Sequence, residues 1–347
     1  MLSEQQISEI RNHLEKAQNP LFFFDNDADG LASFLLLRRF IGRGKGVAIK
    51  SFPELNEAYT RKINELNPDY VFVLDKPKIS KAFIDEVKRI GLPLIWIDHH
   101  NTVGREDEIL KDLFYYNPLL AKNPSSEPTT YLCYQVTKRK EDLWIAMLGC
   151  IADGYLPPFS ADFKAQYPDL WKDVETAFQG LYETELGKII KMLSFALKDR
   201  TSKVVSMLKF LVEIKSPQDI LQENNKSKSV HQRFNQVNSK YKKLIEKARK
   251  LDKGKILFFQ YGGELSLSSD ISNELFYLFP ARIIIVAYIQ SAKANISIRG
   301  ERNIREYTLQ ALKGIDNATG GGHENACGAT MSIEDLEKFK ENFEKLI

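Results

Sequence analysis

Apolar residues fall into short runs divided by polar stretches, and the period of each run predicts an element. Residues 21–24 (Leu-Phe-Phe-Phe), 70–74 (Tyr-Val-Phe-Val-Leu) and 94–97 (Leu-Ile-Trp-Ile) are unbroken apolar runs, as strands buried on both faces should be. Residues 47–52 predict one more strand. Between them apolar positions recur at helical spacing over 4–17, 30–41, 58–65 and 80–90. Strands that alternate with helices at this pitch imply right-handed crossovers and a mostly parallel sheet flanked by helices.

Beyond residue 101 the pattern turns helical, over 128–139 and 142–156. From 186 to 252 the helices are rich in Lys, Ser, Asn and Gln and predict a connecting segment that ends in a long helix. A second alternation follows, with strands over 255–261, 282–289, 295–299 and 326–331, helices over 270–278, 304–313 and from 333, and a loop over 319–323. The expected organisation is therefore α/β: a domain of 1–185, a helical connector of 186–252 and a smaller α/β domain of 253–347.

In parallel α/β sheets ligands bind beyond the carboxyl ends of the strands. The first run is followed by Asp25, Asp27 and Asp29 and then Gly30, the run 70–74 by Asp75, and the run 94–97 by Asp98, His99 and His100. Alternation on an extended backbone puts the first three carboxylates on one side, where they raise one another's pKa unless they stay solvated or hold a cation. An acidic, solvated turn is the plain alternative for that stretch alone. Asp153 follows the apolar segment 144–152 and needs a partner, either a cation or a buried arginine, unless it is simply an Asp at a helix end before Gly154. A donor set rich in carboxylates with few imidazoles suits Mn²⁺ or Mg²⁺ better than a structural zinc site.

Composition changes little: the chain of 347 residues is 43% hydrophobic and 27% charged, with 49 basic against 46 acidic residues. A net charge of +3 supports a polyanionic partner only where positive charge is concentrated locally. Cys133, Cys150 and Cys327 have no close pairing and read as packing residues of a reducing compartment. There is no basic and apolar leader at the N-terminus and no apolar run near the roughly 20 residues of a membrane span, so a soluble, cytoplasmic protein is expected.

Taken in order, Asp25-x-Asp27-x-Asp29-Gly30, Asp75, Asp98-His99-His100, Asp153 and Gly320-Gly321-Gly322-His323 resemble the DHH phosphoesterase family over nearly the whole chain. That group includes RecJ-like exonucleases, nanoRNases and cyclic-dinucleotide phosphodiesterases. The resemblance implies two divalent cations, Mn²⁺ preferred and Mg²⁺ the alternative, held by Asp25, Asp27, Asp29, Asp75, His99 and Asp153, with Asp75 bridging. It gives Asp98 and His100 catalytic positions, orienting ligands or touching phosphate. Gly320, Gly321, Gly322 and His323 would form a phosphate loop, which taken alone is equally a flexible turn, and Arg299 would bind phosphate through its fork. The implied substrates are single-stranded DNA or RNA and short oligonucleotides, with a replication or repair protein as partner. Two alternatives stand beside this: hydrolysis of a small phosphate compound such as a cyclic dinucleotide or pyrophosphate, and a non-catalytic subunit of a replication assembly. The sequence departs from the pattern at Asp25, where many members have histidine, although an all-aspartate version resembles the RecJ branch. It departs again at Lys76-Pro77, where a lysine would bind phosphate or crowd the substrate.

Overall fold

The structure, a computed structural model, describes residues 1–50, 55–101, 113–251 and 254–347. In the first unit, Met1–Phe234, strands β1 (Pro20–Asp25), β2 (Lys45–Ile49), β3 (Tyr70–Leu74), β4 (Leu94–Ile97) and β5 (Phe114–Tyr116) form one sheet in the order β2-β1-β3-β4-β5. All its pairings are parallel. Both faces are covered, which explains the unbroken apolar runs. Phe22, Phe24, Phe72, Leu74, Ile95 and Ile97 face a core with helices Ala28–Ile41, Thr129–Thr137 and Leu143–Ala152. Phe23, Val71, Val73 and Trp96 face the opposite core, with Phe83, Ile84 and Val87 of helix Lys81–Ile90.

Two expectations change here. β5 is additional to the expected strands: it is three residues long and begins with the exposed Phe114, too short and too wet to leave an apolar run. Residues 47–52 form a strand only as Lys45–Ile49, and positions 51 and 52 lie outside the described residues. The chain forms two compact units that divide between Phe234 and Asn235, within helix Lys228–Arg249. Leu186, Ile189, Leu193, Leu211 and Ile220 are buried in the same core as Phe22 and Phe24.

The second unit, Asn235–Ile347, holds a mixed sheet of β6 (Ile256–Gly262), β7 (Ile283–Gln290), β8 (Lys293–Arg299), β9 (Thr319–Gly322) and β10 (Ala326–Ser332), in the order β6-β7-β8-β10-β9. β6 and β7 are parallel and the other pairs antiparallel. Ile285, Ile296 and Ile298 pack on Ile304, Phe339 and Phe343. Residues 319–322, expected as loop, are edge strand β9, because an antiparallel partner pairs each glycine: Gly320 with Ala329, Gly321 with Gly328 and Gly322 with Cys327. No described helix is long and apolar enough to cross a membrane.

Candidate metal centre

The carboxyl ends of β1, β3 and β4 lie side by side, since Phe24 pairs with Leu74 and Leu74 with Ile97. The residues that follow each strand therefore meet at one edge. Asp25 ends β1. Asp27 is the N-cap of helix Ala28–Ile41, its carboxylate accepting from the Gly30 amide at 2.9 Å, and Asp29 lies in the first turn. The three aspartates thus converge through the start of a helix and not through strand alternation. An N-capping Asp satisfies an amide that the helix leaves unpaired, so the strand stops where the helix can begin. Gly30 permits the tight turn, for a Cβ there would lie 2.4 Å from the Asp25 carbonyl oxygen.

Asp75 leaves β3 with φ at 58°, a left-handed conformation uncommon outside glycine and found where a site demands it. It is 1% exposed and accepts from the Thr129 hydroxyl at 3.2 Å. Asp29 is equally enclosed. Its two oxygens accept from the Thr129 and Thr130 amides at 3.0 and 2.7 Å, so it caps helix Thr129–Thr137 from across the fold. His99 Nε2 stands 3.4 Å from Asp75, 3.8 Å from Asp29 and 3.8 Å from Asp153. These separations exceed most hydrogen bonds and match the spacing of ligands around one ion, since donors ~2.1 Å from an octahedral cation lie ~3 Å from one another.

Among the described residues, three groups of donors could each hold a cation: Asp25, Asp27 and Asp75; Asp29, His99 and Asp153; and Asp75, His99 and His100. Asp75 belongs to two of them. The donor set fits the hard cation expected from the sequence, being dominated by carboxylates. The protonation chemistry fits as well. Desolvation, together with the charges of Asp25 and Asp29, pushes Asp27 up to about 7 although its surface is open. Desolvation and the carboxylates Asp29, Asp27 and Asp25 hold Asp75 well above the usual range. Asp153 rises to about 6 through desolvation, against the pull of His99. Carboxylates crowded to this degree favour protons or a metal over standing ionised together.

Asp98 is fully buried and binds His100 Nδ1 at 2.7 Å, with the Tyr115 hydroxyl donating to its other oxygen at 3.4 Å. Burial opposes the imidazolium, but the hydrogen bond and charge of Asp98 prevail and lift His100 to about 9. Asn117 donates to the His100 carbonyl and to the Tyr115 hydroxyl at 2.9 and 2.8 Å. Tyr115, Asn117, Thr129 and Thr130 escape a reading of the sequence because each acts on a neighbour and none carries charge. Pro128 followed by two threonines is the available sign of a helix start in want of a cap. Lys76 does not stand out in solvent. It is fully buried, and its ammonium donates to Asp25 at 3.1 Å.

In the second unit Arg299 ends β8 opposite Ala326 of β10. Its guanidinium donates to Asn273 at 2.6 Å, Ser269 at 3.1 Å and the Ile298 carbonyl at 2.9 Å. Gly322 and Ala326 bound a tight hairpin in which the His323 amide donates to the Ala326 carbonyl at 2.9 Å. Gly322 is obligatory there: φ is 141°, and a Cβ would lie 2.4 Å from the Ala326 carbonyl. His323 is exposed, at the same end of the sheet as Arg299. The free cysteines Cys133, Cys150 and Cys327 are buried.

No protein-family model and no curated protein sequence matches the chain. Its structure is similar to RecJ from Thermus thermophilus in complex with Mn²⁺, with a TM-score of 0.71 at 17% identity over 99% of this chain and 55% of that one. The chain thus spans about half the length of that protein. It is also similar to an exonuclease RecJ bound to manganese (TM-score 0.66, 16% identity, 99% and 95% of the two chains). A third likeness is to the DHH domain of a protein assigned to a family of ribosomal proteins (0.66, 15%, 99% and 92%). At such identities the likeness is one of fold, and the fold of this chain is the DHH fold of the RecJ-like proteins.

Proposed function

We propose that the chain is a DHH-family phosphodiesterase that uses two divalent cations, Mn²⁺ by preference, to hydrolyse single-stranded nucleic acid or short oligonucleotides. The observation that carries the reading is the convergence of Asp25, Asp27, Asp29, Asp75, His99 and Asp153 at the carboxyl edge of the parallel sheet. The RecJ structures that share this fold were obtained with Mn²⁺ or Mg²⁺, which supports the choice of metal. Bound cations would supply Lewis-acid polarisation of the phosphate and a water of lowered pKa.

The chain's own residues have separable tasks in this scheme. The carboxylates and His99 hold and space the cations. His100, cationic through Asp98, donates to a non-bridging phosphate oxygen and offsets charge that grows in the transition state. Arg299, Gly320, Gly321, Gly322 and His323 take a neighbouring phosphate. In this proposal residues 253–347 form the substrate domain. The Thermus RecJ chain is nearly twice as long, so we further propose that grip on long strands comes from a replication or repair partner.

The test is a digestion of end-labelled DNA and RNA, from dinucleotides to ~20-mers and including blunt duplex, with Mn²⁺ or Mg²⁺ and products resolved at single-nucleotide steps. Trimming of single strands ahead of duplex is expected, since paired ends must first unstack. Cleavage of a cyclic dinucleotide alone, or none with either metal, overturns the proposal.

A further inference from the structure

Among the described residues, Lys76 is the one lysine in the set of largest fully buried side chains, and nothing in its sequence position requires that. Burying an ammonium is costly unless it is paired and hydrogen-bonded. Its Nζ donates to Asp25 Oδ1 at 3.1 Å and to the Lys50 carbonyl at 3.2 Å. Its own carbonyl accepts from Trp96 Nε1 at 2.9 Å, so the backbone is pinned as well. Successive side chains of a strand point to opposite faces. The left-handed turn at Asp75 breaks that rule, so Asp75 reaches His99 while Lys76 reaches Asp25.

The consequence falls on one donor group only. Asp25 Oδ1 already accepts from the Asn26 amide at 2.9 Å and now also from Lys76. The group Asp25, Asp27 and Asp75 therefore offers a cation fewer free lone pairs and faces a fixed positive charge. The group Asp29, His99 and Asp153 differs. His99 Nε2 stands 3.8 Å from both Asp29 and Asp153, and the Asp29 carboxylate accepts from the neutral amides of Thr129 and Thr130. Neutral donors orient a carboxylate without repelling a metal. An ammonium does both.

We infer that Lys76 makes the two cation positions unequal: the position of Asp29, His99 and Asp153 fills first and tightly, and that of Asp25, Asp27 and Asp75 fills second and weakly. The ammonium supplies there part of the positive charge that a tightly held second cation would otherwise bring. The inference rests on the metal reading of the proposed function and concerns only how the charge is divided.

Equilibrium Mn²⁺ titration of the full chain tests it, followed by calorimetry and by electron paramagnetic resonance, which separates isolated from spin-coupled Mn²⁺. Wild type should bind one equivalent with an isolated six-line spectrum, and a second at least about tenfold more weakly with loss of that spectrum through coupling. In Lys76→Met the second step should tighten by about tenfold or more, with the first little changed. Mn²⁺ should also raise the melting temperature of the variant further than that of wild type. Lys76→Gln, which keeps a donor but not the charge, should behave as Lys76→Met, and it serves where the methionine variant does not fold. Two indistinguishable steps in wild type overturn the inference without any variant, as does an unmoved second step in a folded variant. Absence of Mn²⁺ binding in wild type sinks the metal reading itself.

Discussion

Asp25, Asp29, Asp75, Asp98 and His99 of the first unit are between 0% and 7% exposed, whereas Gly320, Gly322 and His323 of the second unit stand in the open on an edge hairpin. In the first, ionisable groups are crowded by burial and fixed by Thr129, Thr130, Tyr115 and Lys76, so the arrangement is set before anything binds. In the second, glycine and a surface imidazole leave the backbone accessible at little packing cost. Under the proposed function, preorganisation against exposure separates a group that would hold charge in place from one that would let a ligand approach. The two regions should accordingly fail in different ways.

The largest effect should come from Asp75→Asn, which keeps the size of the side chain and tolerates the left-handed backbone. We expect turnover to fall on the order of 10³-fold, because the residue belongs to two donor groups and several kcal/mol of metal-derived stabilisation depend on it. The cation-free protein should melt no lower than wild type, since one crowded charge is gone. Near wild-type turnover in Mn²⁺ would dismiss the bridging role.

Removing metal should expose the crowding directly. Asp27 and Asp153 titrate near 7 and 6 in the fold against an ordinary 3.8, so both favour folding while protonated and lose that contribution as pH rises through those values. His100, raised to about 9, favours folding fully below its ordinary 6.5 and loses that contribution as pH rises towards 9. With chelator, the melting temperature should decline from about pH 4 upward. Saturating Mn²⁺ should flatten or reverse the slope, because cation binding needs deprotonated ligands. Identical slopes with and without Mn²⁺ would show that the cluster is not a metal site. The hairpin carries no such crowding, and its unit should be indifferent to chelator.

How much can be read from the sequence follows the same division. β1, β3 and β4 are legible because strands buried on both faces leave unbroken apolar runs, and their terminal Asp and His residues follow from where such strands end. Lys76 is visible as a departure, but its pairing with Asp25 depends on the β1–β3 register and the φ of Asp75, and neither is written locally. β9 reads as a loop because three glycines supply no apolar pattern; only the partner strand β10 makes them a strand. Asp29 reads as part of an extended stretch because the acidic alternation outweighs the capping role of Asp27, four residues before Leu31.

In the second unit Gly322→Ala should act first on stability, and through it on the binding of oligonucleotides. Positive φ and contact with the Ala326 carbonyl should cost roughly 1–3 kcal/mol in melting of that unit, with Mn²⁺ affinity unmoved. Gly321→Ala supplies the control, since a Cβ there meets nothing within 4 Å. Its melting should match wild type, and any loss on oligonucleotides would mark backbone approach by the substrate.

The smallest and most discriminating effect belongs to His323→Ala beside Arg299→Ala. Arg299 is tied to Asn273 and Ser269, so its loss should lower both catalysis and the stability of its unit. His323 is exposed at the hairpin tip, so its loss should leave melting unchanged and raise KM on oligonucleotides by about tenfold, the scale of one charge-assisted contact. Cleavage of a minimal phosphodiester such as bis(p-nitrophenyl) phosphate should be unaffected in His323→Ala, because that substrate has no second phosphate for the hairpin to hold. A loss of equal size on both substrates would instead place His323 at the reacting phosphate and erase the distinction between the two regions. No loss on either substrate would take the hairpin out of substrate binding altogether.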